Sequence, residues 1–277
     1  MNTILTIARL TFHEAWRRRM VLLALVLGGV FVLLFSIGFG LILREVRAEQ
    51  TPETLLRLLH INLLMSGLYV VHFLAVMLAI FASVDVVAGE IASHTIQTLV
   101  TKPVRRWEIV FGKWLGCAAM LMVYLLLLSG GVIGSTYLQS GYLPANALPA
   151  VSILVLEALV LLSLSLLGGT RLSTLTNGVV LFMVYGLAFI GGWVEQIGSV
   201  FASEAAVRVG IITSLLMPVE SLWRRAAYLM QPAGRGIDDL TPFAAFSPPS
   251  GAMVAYGVVY ASVALLLAMR SFNRRDL

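Results

Sequence analysis

The sequence is poor in charged residues, since Asp, Glu, Lys and Arg make up 12% of its 277 residues. A soluble domain carries about 25%, and 59% of this chain is hydrophobic, which excludes an ordinary hydrated surface. Five long blocks lack any charged residue, and each reaches the roughly 20 residues with which a helix crosses a bilayer. They are residues 20–43, 61–84, 114–156, 172–194 and 240–269. The sequence therefore predicts an all-α, polytopic membrane protein.

Signatures of catalysis and of metal binding are also lacking. Cys117 is the single cysteine, which excludes an intrachain disulfide, and its place in an apolar block predicts a buried thiol. His13-Glu14 begins like a zinc-protease motif, but Arg17 stands where the second histidine is needed. Gly112-Lys113 lacks the upstream glycine of a phosphate-binding loop, and no Gly-x-Ser-x-Gly elbow occurs. We therefore expect that the chain is not an enzyme and holds no cofactor or metal of its own.

The basic residues lie in short clusters beside the apolar blocks. The net charge of +5 could suggest a nucleic-acid partner, but no basic domain separates the blocks. Such clusters indicate instead how the chain is oriented across the membrane, because cytoplasmic segments of membrane proteins carry an excess of Lys and Arg. Twelve basic residues fall on the segments assigned to the cytoplasm and seven on the opposite face, which gives net charges of +7 and −1. This predicts a multi-pass protein of the cell (plasma or inner) membrane with both termini in the cytoplasm.

Residues 1–19 precede the first span and have one apolar and one polar helical face. They predict an amphipathic helix in the headgroup layer, with residues 17–19, all arginine, anchoring the span that follows. The alternative is a simple N-terminal extension of span 1. The first apolar block is longer than a signal-peptide core and no small-x-small cleavage site follows it, so we expect it to be retained.

Six spans result once the longest block is divided. Block 114–156 has 43 residues, and the run 141–146 breaks it into a hairpin of spans 3 and 4. Residues 51–60 predict a helical lead-in to span 2. The segment 195–250 is expected to lie on the outer side and to contain interfacial or re-entrant helices, with an amphipathic one at 218–230. Spans 4, 5 and 6 are predicted to end near Gly168, Val194 and Met269.

The stretch 86–113, between spans 2 and 3, is the most informative part of the sequence. An acid at position 90 precedes Ser-His-Thr-Ile at 93–96, Leu-Val-Thr-Lys-Pro-Val-Arg-Arg at 99–106 and Ile-Val-Phe-Gly-Lys at 109–113. This pattern resembles the first cytoplasmic loop of the type-two ABC exporter permeases, in the branch that includes the permease for nitrous oxide reductase maturation. The matching residues are Glu90, Thr95, Ile96, Leu99, Pro103, Val104, Arg106, Gly112 and Lys113. His94 departs from the pattern, because a glycine commonly stands before the threonine.

The resemblance implies a function for this loop. Residues 90–100 would form a coupling helix seated in a groove of a separate cytoplasmic ABC ATPase, which would hold the ATP and Mg²⁺. The whole chain, 1–277, would be one membrane domain of an exporter, paired with an identical or homologous second permease. A solvated loop that anchors to anionic membrane lipid is the alternative. The implied ATPase-docking residues are Glu90, Ile91, His94, Thr95, Ile96, Leu99, Lys102, Pro103, Arg105 and Arg106.

Polar residues inside the predicted spans form a second candidate site. Asn62, Ser66, Tyr69 and His72 recur at helical intervals on span 2, and Glu157 lies within span 4. Ionisable groups at membrane depth are costly and often functional, so these five are candidates for the translocation path. Interhelical hydrogen bonding explains the stripe equally well, and a structural carboxyl explains Glu157.

Two rival functions stand beside the exporter permease. An integral-membrane enzyme is disfavoured because the histidines at positions 60, 72 and 94 lie at different predicted depths. An ion-coupled secondary carrier is disfavoured because the predicted spans contain a single acid and show no internal repeat.

Overall fold

The computed structural model describes residues 3–48, 52–92, 105–144, 146–231 and 248–274, and for residues 90–92 it describes the backbone alone. The regular elements within these ranges are all α-helices. They are α1 (Thr3–Arg17), α2 (Arg19–Ala48), α3 (Glu53–Ala92), α4 (Arg106–Ser140), α5 (Ala147–Gly169), α6 (Thr174–Val200), α7 (Glu204–Leu216), α8 (Val219–Met230) and α9 (Gly251–Asn273). The predicted all-α class is confirmed.

Six of these helices are long and apolar enough to cross a membrane, namely α2, α3, α4, α5, α6 and α9. This confirms the six predicted spans. The pair α7 and α8 is bent by 106° and is either a broken span or a re-entrant hairpin. Residue 217, which precedes Pro218, adopts an extended backbone because the proline ring disfavours the helical region there. We call residues 204–230 the hairpin.

The N-terminal helix α1 is separate from span 1, since the helical pattern is interrupted at Arg18. It packs lengthwise on α4 rather than continuing α2. A Cβ atom at Gly116 would lie 2.6 Å from the carbonyl oxygen of Ala8, so this close approach requires glycine. The predicted separate helix is therefore present, and it lies against the base of span 3.

Helices α3, α4 and α5 form the centre of the bundle. Their contact faces bury Leu64, Leu68, Leu121, Leu125 and Leu161 almost completely. Cys117 is also buried among them, as predicted. The exposed faces of α2 and α6 are in contrast strongly apolar, which fits lipid or a second membrane subunit.

Most of the spanning helices extend beyond their predicted bounds, α2, α3 and α6 among them. Helix α3 has 40 residues, a length of about 60 Å at 1.5 Å per residue, so it is much longer than a span. It includes the predicted lead-in at one end and continues through Gly89 to Ala92 at the other. Helix α6 continues past Val194 to Val200, which places Glu195 on a span rather than in the following segment. Helix α2 similarly reaches Ala48.

Candidate functional site

The predicted coupling loop lies largely outside the described residues. Of its docking residues, Glu90 and Ile91 are described as backbone at the end of α3, and Arg105 and Arg106 lie at the start of α4. The other six, His94, Thr95, Ile96, Leu99, Lys102 and Pro103, fall in the range 93–104, outside the described residues. The docking assignment therefore stays a prediction.

The helix ends that carry this loop are firmly held, and we call this side of the bundle the loop end. Lys113 is buried, and its Nζ donates a hydrogen bond of 3.4 Å to the carbonyl oxygen of Val86, which joins α4 to α3. The backbone N–H of Arg105 donates to Glu108 Oε2 at 3.3 Å, which caps the start of α4. At Gly112 an added Cβ would lie 2.8 Å from Ile7, so α1 packs directly beside the loop. Gly112 and Lys113 of the stretch 86–113 thus hold α4 against α1 and α3.

A charged cluster at the loop end ties four helices together. Arg18, between α1 and α2, lies 2.8 Å from Glu14 and 3.3 Å from Asp85 of α3. Thr174 at the start of α6 donates a hydrogen bond of 3.3 Å to the other oxygen of Asp85. Partial burial lowers the pKa of Arg18, but the hydrogen bond to Glu14 and the charges of Glu14 and Asp85 outweigh it and raise that pKa above its usual value. Arg18 is therefore a permanent cation at this junction.

The polar stripe on span 2 divides into two parts. Asn62 and Ser66 donate to the carbonyl oxygens one turn earlier, Leu58 and Asn62, at 3.0 and 2.8 Å. Ser66 is exposed, and Asn62 and Tyr69 are half-buried. These three residues share one partly exposed face of α3. His72, in contrast, is buried inside the protomer.

The structure brings His72, Glu157 and Tyr69 together around Trp223. His72 Nδ1 lies 2.8 and 3.0 Å from the two carboxyl oxygens of Glu157, and both side chains are buried. The His72 ring stacks on the Trp223 ring with 4.8 Å between the ring centroids. The centroid of the Tyr69 ring lies 5.5 Å from that of Trp223. Glu157 lies midway along α5, so this contact is near the middle of a span. The sequence had placed His72 and Glu157 on separate spans without pairing them.

Sequence reasoning missed three further members of this region. Arg224 Nη2 donates to Glu195 Oε2 at 2.7 Å, and both side chains are buried. Glu220 is buried as well and interacts electrostatically with His72, Glu157 and Arg224. The sequence predicted interfacial or re-entrant helices on the outer side here, and the burial of these three side chains was not expected.

This burial was not expected because helix α8 is short and polar on one side, which is typical of a surface helix. Its charged side instead faces α6, where Glu195 provides a counter-charge. The signal that could have identified this arrangement was the opposite charge of Arg224 and Glu195, on two helices that only the 13-residue helix α7 separates along the chain. The region we call the buried polar cluster comprises His72, Glu157, Glu195, Glu220 and Arg224.

A family model described as ABC-2 family transporter protein matches residues 5–277, nearly the whole chain. No curated protein matches the chain significantly.

Proposed function

This chain belongs to the ABC-2 family of transporter proteins, and from that membership we propose that it is the permease subunit of an ATP-driven exporter coupled to a separate cytoplasmic ATPase. The observation that carries the proposal is the match over residues 5–277, which includes all six apolar spans. In this proposal the ATPase binds ATP and Mg²⁺. The permease supplies the membrane path and converts ATPase closure into a movement of its spans.

The geometry of the loop end supports this coupling. Helix α3 is long enough to project beyond a bilayer of about 30 Å, and the Lys113 hydrogen bond ties its end to α4. A partner that pushes on the segment between α3 and α4 would therefore move both spans as one body. The packing of α1 against Gly112 and Gly116 adds a third helix to this unit.

We propose that the substrate path lies between two permease subunits. Asn62, Ser66 and Tyr69 form a polar stripe on an otherwise apolar exposed face of α3, and a polar face is costly against lipid. A second subunit would cover this stripe and complete a path along it. His72 and Glu157 lie behind the stripe, where they hold Tyr69 and Trp223 in place.

Affinity purification tests the proposed partnership. A tagged chain isolated from its native membrane should bring an ATPase subunit with it in a stoichiometric complex. The double variant Arg105→Glu with Arg106→Glu should lose most of that ATPase, because charge reversal at the start of α4 disturbs the docking surface. Arg208→Glu is the control, because it also reverses the charge of an arginine. Arg208 lies on the hairpin, where both it and its partner Glu204 are exposed.

Two results would count against the proposal. One is purification of the folded chain without any ATPase, and the other is equal ATPase recovery with the loop-end variant and the wild type. Only variants that elute as folded protein in size-exclusion chromatography are compared, so that loss of the ATPase is not confused with unfolding of the permease.

A further inference from the structure

The buried polar cluster joins four helices at the centre of the protein. His72 comes from α3, Glu157 from α5, Glu195 from α6, and Glu220 and Arg224 from α8. Its parts are linked by the 2.8 Å contact between His72 and Glu157 and the 2.7 Å bond between Arg224 and Glu195. The hairpin is thus held against three spans by charged groups.

The charges of this cluster do not balance without bound protons. With every carboxyl ionised and His72 neutral, the three acids and Arg224 leave a net charge of −2 in a buried region. Uncompensated charge is very costly in a medium of low dielectric constant, so protonation is the favoured response. Arg224 neutralises Glu195, and protonated His72 would neutralise Glu157. Glu220 then remains as the acid without a counter-charge of its own.

Five buried atoms of the cluster lack hydrogen-bond partners in the part of the chain that the structure describes. They are Glu220 Oε2, His72 Nε2, Glu157 Oε1, and Arg224 Nε and Nη1. A carboxylate oxygen in this state gains most from a proton, since burial penalises the charged form. Glu220 also lies in the first turn of α8, whose N-terminal end favours negative charge. Burial thus favours the protonated form of Glu220, and the helix end favours the ionised form.

The surroundings of the cluster select a small cation. The His72 ring is packed on Trp223, and the Glu220 side chain packs so closely on Gly192 that an added Cβ there would lie 2.5 Å from it. Within the described residues no group of three or more His, Cys, Asp or Glu side chains is arranged to hold a metal ion. A proton can bind to a carboxylate here without enlarging the site. The stacked indole also stabilises the imidazolium form of His72.

We propose that His72, Glu157 and Glu220 form a proton-binding site inside the membrane domain, which gains a proton when the hairpin is packed on α3 and α5 and releases it when the hairpin moves away. The proton that binds is taken from water and ends on a Glu220 carboxylate oxygen, and release returns it to water. No other bond changes. Proton binding is a property of this chain, whereas its coupling to transport rests on the proposed function.

The neighbouring titratable groups leave this assignment intact. Tyr69 and Tyr185 face the cluster from α3 and α6 and are neutral phenols at ordinary pH. On α9, Tyr256 and Tyr260 donate to the carbonyl oxygens of Leu215 and Leu216 at 2.6 and 2.8 Å, so they hold the bend of the hairpin instead. Arg208 and Glu204 on α7 are exposed and pair with each other.

Infrared spectroscopy of the purified full chain tests proton binding directly. The wild type should show the C=O stretch of a buried protonated carboxyl group at neutral pH, and the band should weaken as the pH rises. The double variant Glu157→Gln with Glu220→Gln should lose this titrating band. Glu204→Gln is the matched control, because it removes one carboxyl from the same hairpin at an exposed position, and it should keep the band.

A wild-type protein without this band, or a folded double variant that retains it, would overturn the proposal. Should the double variant fail to fold, the single variant Glu220→Gln decides. The glutamine amide resembles a protonated carboxyl group in shape. In this variant the C=O band of the protonated carboxyl must fall to less than half of the wild-type intensity. A full band in that variant contradicts the assignment.

A second measurement separates proton binding from transport. In the isolated complex with its ATPase, ATP hydrolysis by the wild type should depend on pH, and Glu220→Gln should flatten that dependence while Glu204→Gln preserves it. An infrared band without any copurifying ATPase would refute the proposed function and leave the proton site standing. A complex whose pH profile is the same with and without Glu220 would refute the coupling.

Discussion

Arg224 shows how strongly a single residue can shape this protein. Its guanidinium reaches Glu195 at 2.7 Å inside the bundle and thereby joins α8 to α6. The sequence did not reveal this contact, because the partners are 29 residues apart and α8 has the pattern of a surface helix. Cys117 shows the opposite case, since its apolar surroundings in the chain were enough to predict its burial.

Removing the cation should destabilise the fold. Arg224→Met leaves Glu195 buried without its partner, a change that costs about 3–5 kcal/mol. The double variant Arg224→Met with Glu195→Gln should recover much of that loss, since the carboxylate that Arg224 neutralised is removed together with it. Unfolding of the purified chain in detergent measures both values. Arg208→Met, at the exposed pair with Glu204, should change stability by less than about 1 kcal/mol.

Equal stability of Arg224→Met and Arg208→Met would contradict the structure at this site. So would a double variant that is no more stable than Arg224→Met alone.

A glycine at the contact of α1 with α4 provides a second test at the residue scale. Gly116→Ala places a Cβ atom 2.6 Å from the Ala8 carbonyl oxygen, so α1 must shift away at a cost of about 1–3 kcal/mol. Trypsin should then cleave at the exposed Arg9 and Arg17 faster than in the wild type. Gly134→Ala on the same helix is the control, because its Cβ would meet nothing within 4 Å. Identical cleavage rates for the two variants would show that α1 does not depend on this approach.

At the scale of helices, the apolar blocks predicted which segments span the membrane, but not where each helix ends. Helix α3 continues well beyond its apolar block because a helix that is already formed extends through polar residues at little cost. The break at 141–146 was predicted correctly, since Gly141 adopts a left-handed conformation that ends α4. The hairpin was predicted as interfacial or re-entrant, but its burial depends on contacts with distant helices.

The bend of the hairpin should depend on two tyrosines of α9. Helix α7 ends with carbonyl groups that have no partner within the helix, and Tyr256 and Tyr260 donate to two of them. Tyr256→Phe with Tyr260→Phe removes both donors at a cost of about 0.5–1.5 kcal/mol for each hydrogen bond lost. Hydrogen exchange of the α7 amides should become faster.

The matched control is Tyr137→Phe, at an exposed position on α4. If the double phenylalanine variant exchanges no faster than this control, the tyrosines do not hold the bend.

At the scale of the whole molecule, six spans and a family match over residues 5–277 define a membrane transporter subunit. The expectation that the spans contain a single buried acid is wrong, since Glu195 on α6 is buried as well as Glu157 on α5, and Glu220 of the hairpin is buried beside them. That number had been one of two reasons to disfavour an ion-coupled carrier, beside the lack of an internal repeat. Family membership supports the proposed ATP-driven exporter instead, and of the additional acids Glu195 pairs with Arg224 while Glu220 is proposed to bind a proton. Removing Glu195, Glu220 and Arg224 from the outer count leaves six basic and six acidic residues there, so the excess of basic residues on the predicted cytoplasmic side remains.

Site-directed photocrosslinking tests the central proposal, that a separate ATPase binds the segment between α3 and α4. A photoreactive residue in place of Ile96, introduced into the chain in native membranes, should crosslink to a cytoplasmic ATPase subunit. The same residue in place of Leu138, which is 84% exposed near the opposite end of α4, should not. Crosslinks from position 96 to lipid alone, or to the ATPase equally from both positions, would contradict the account.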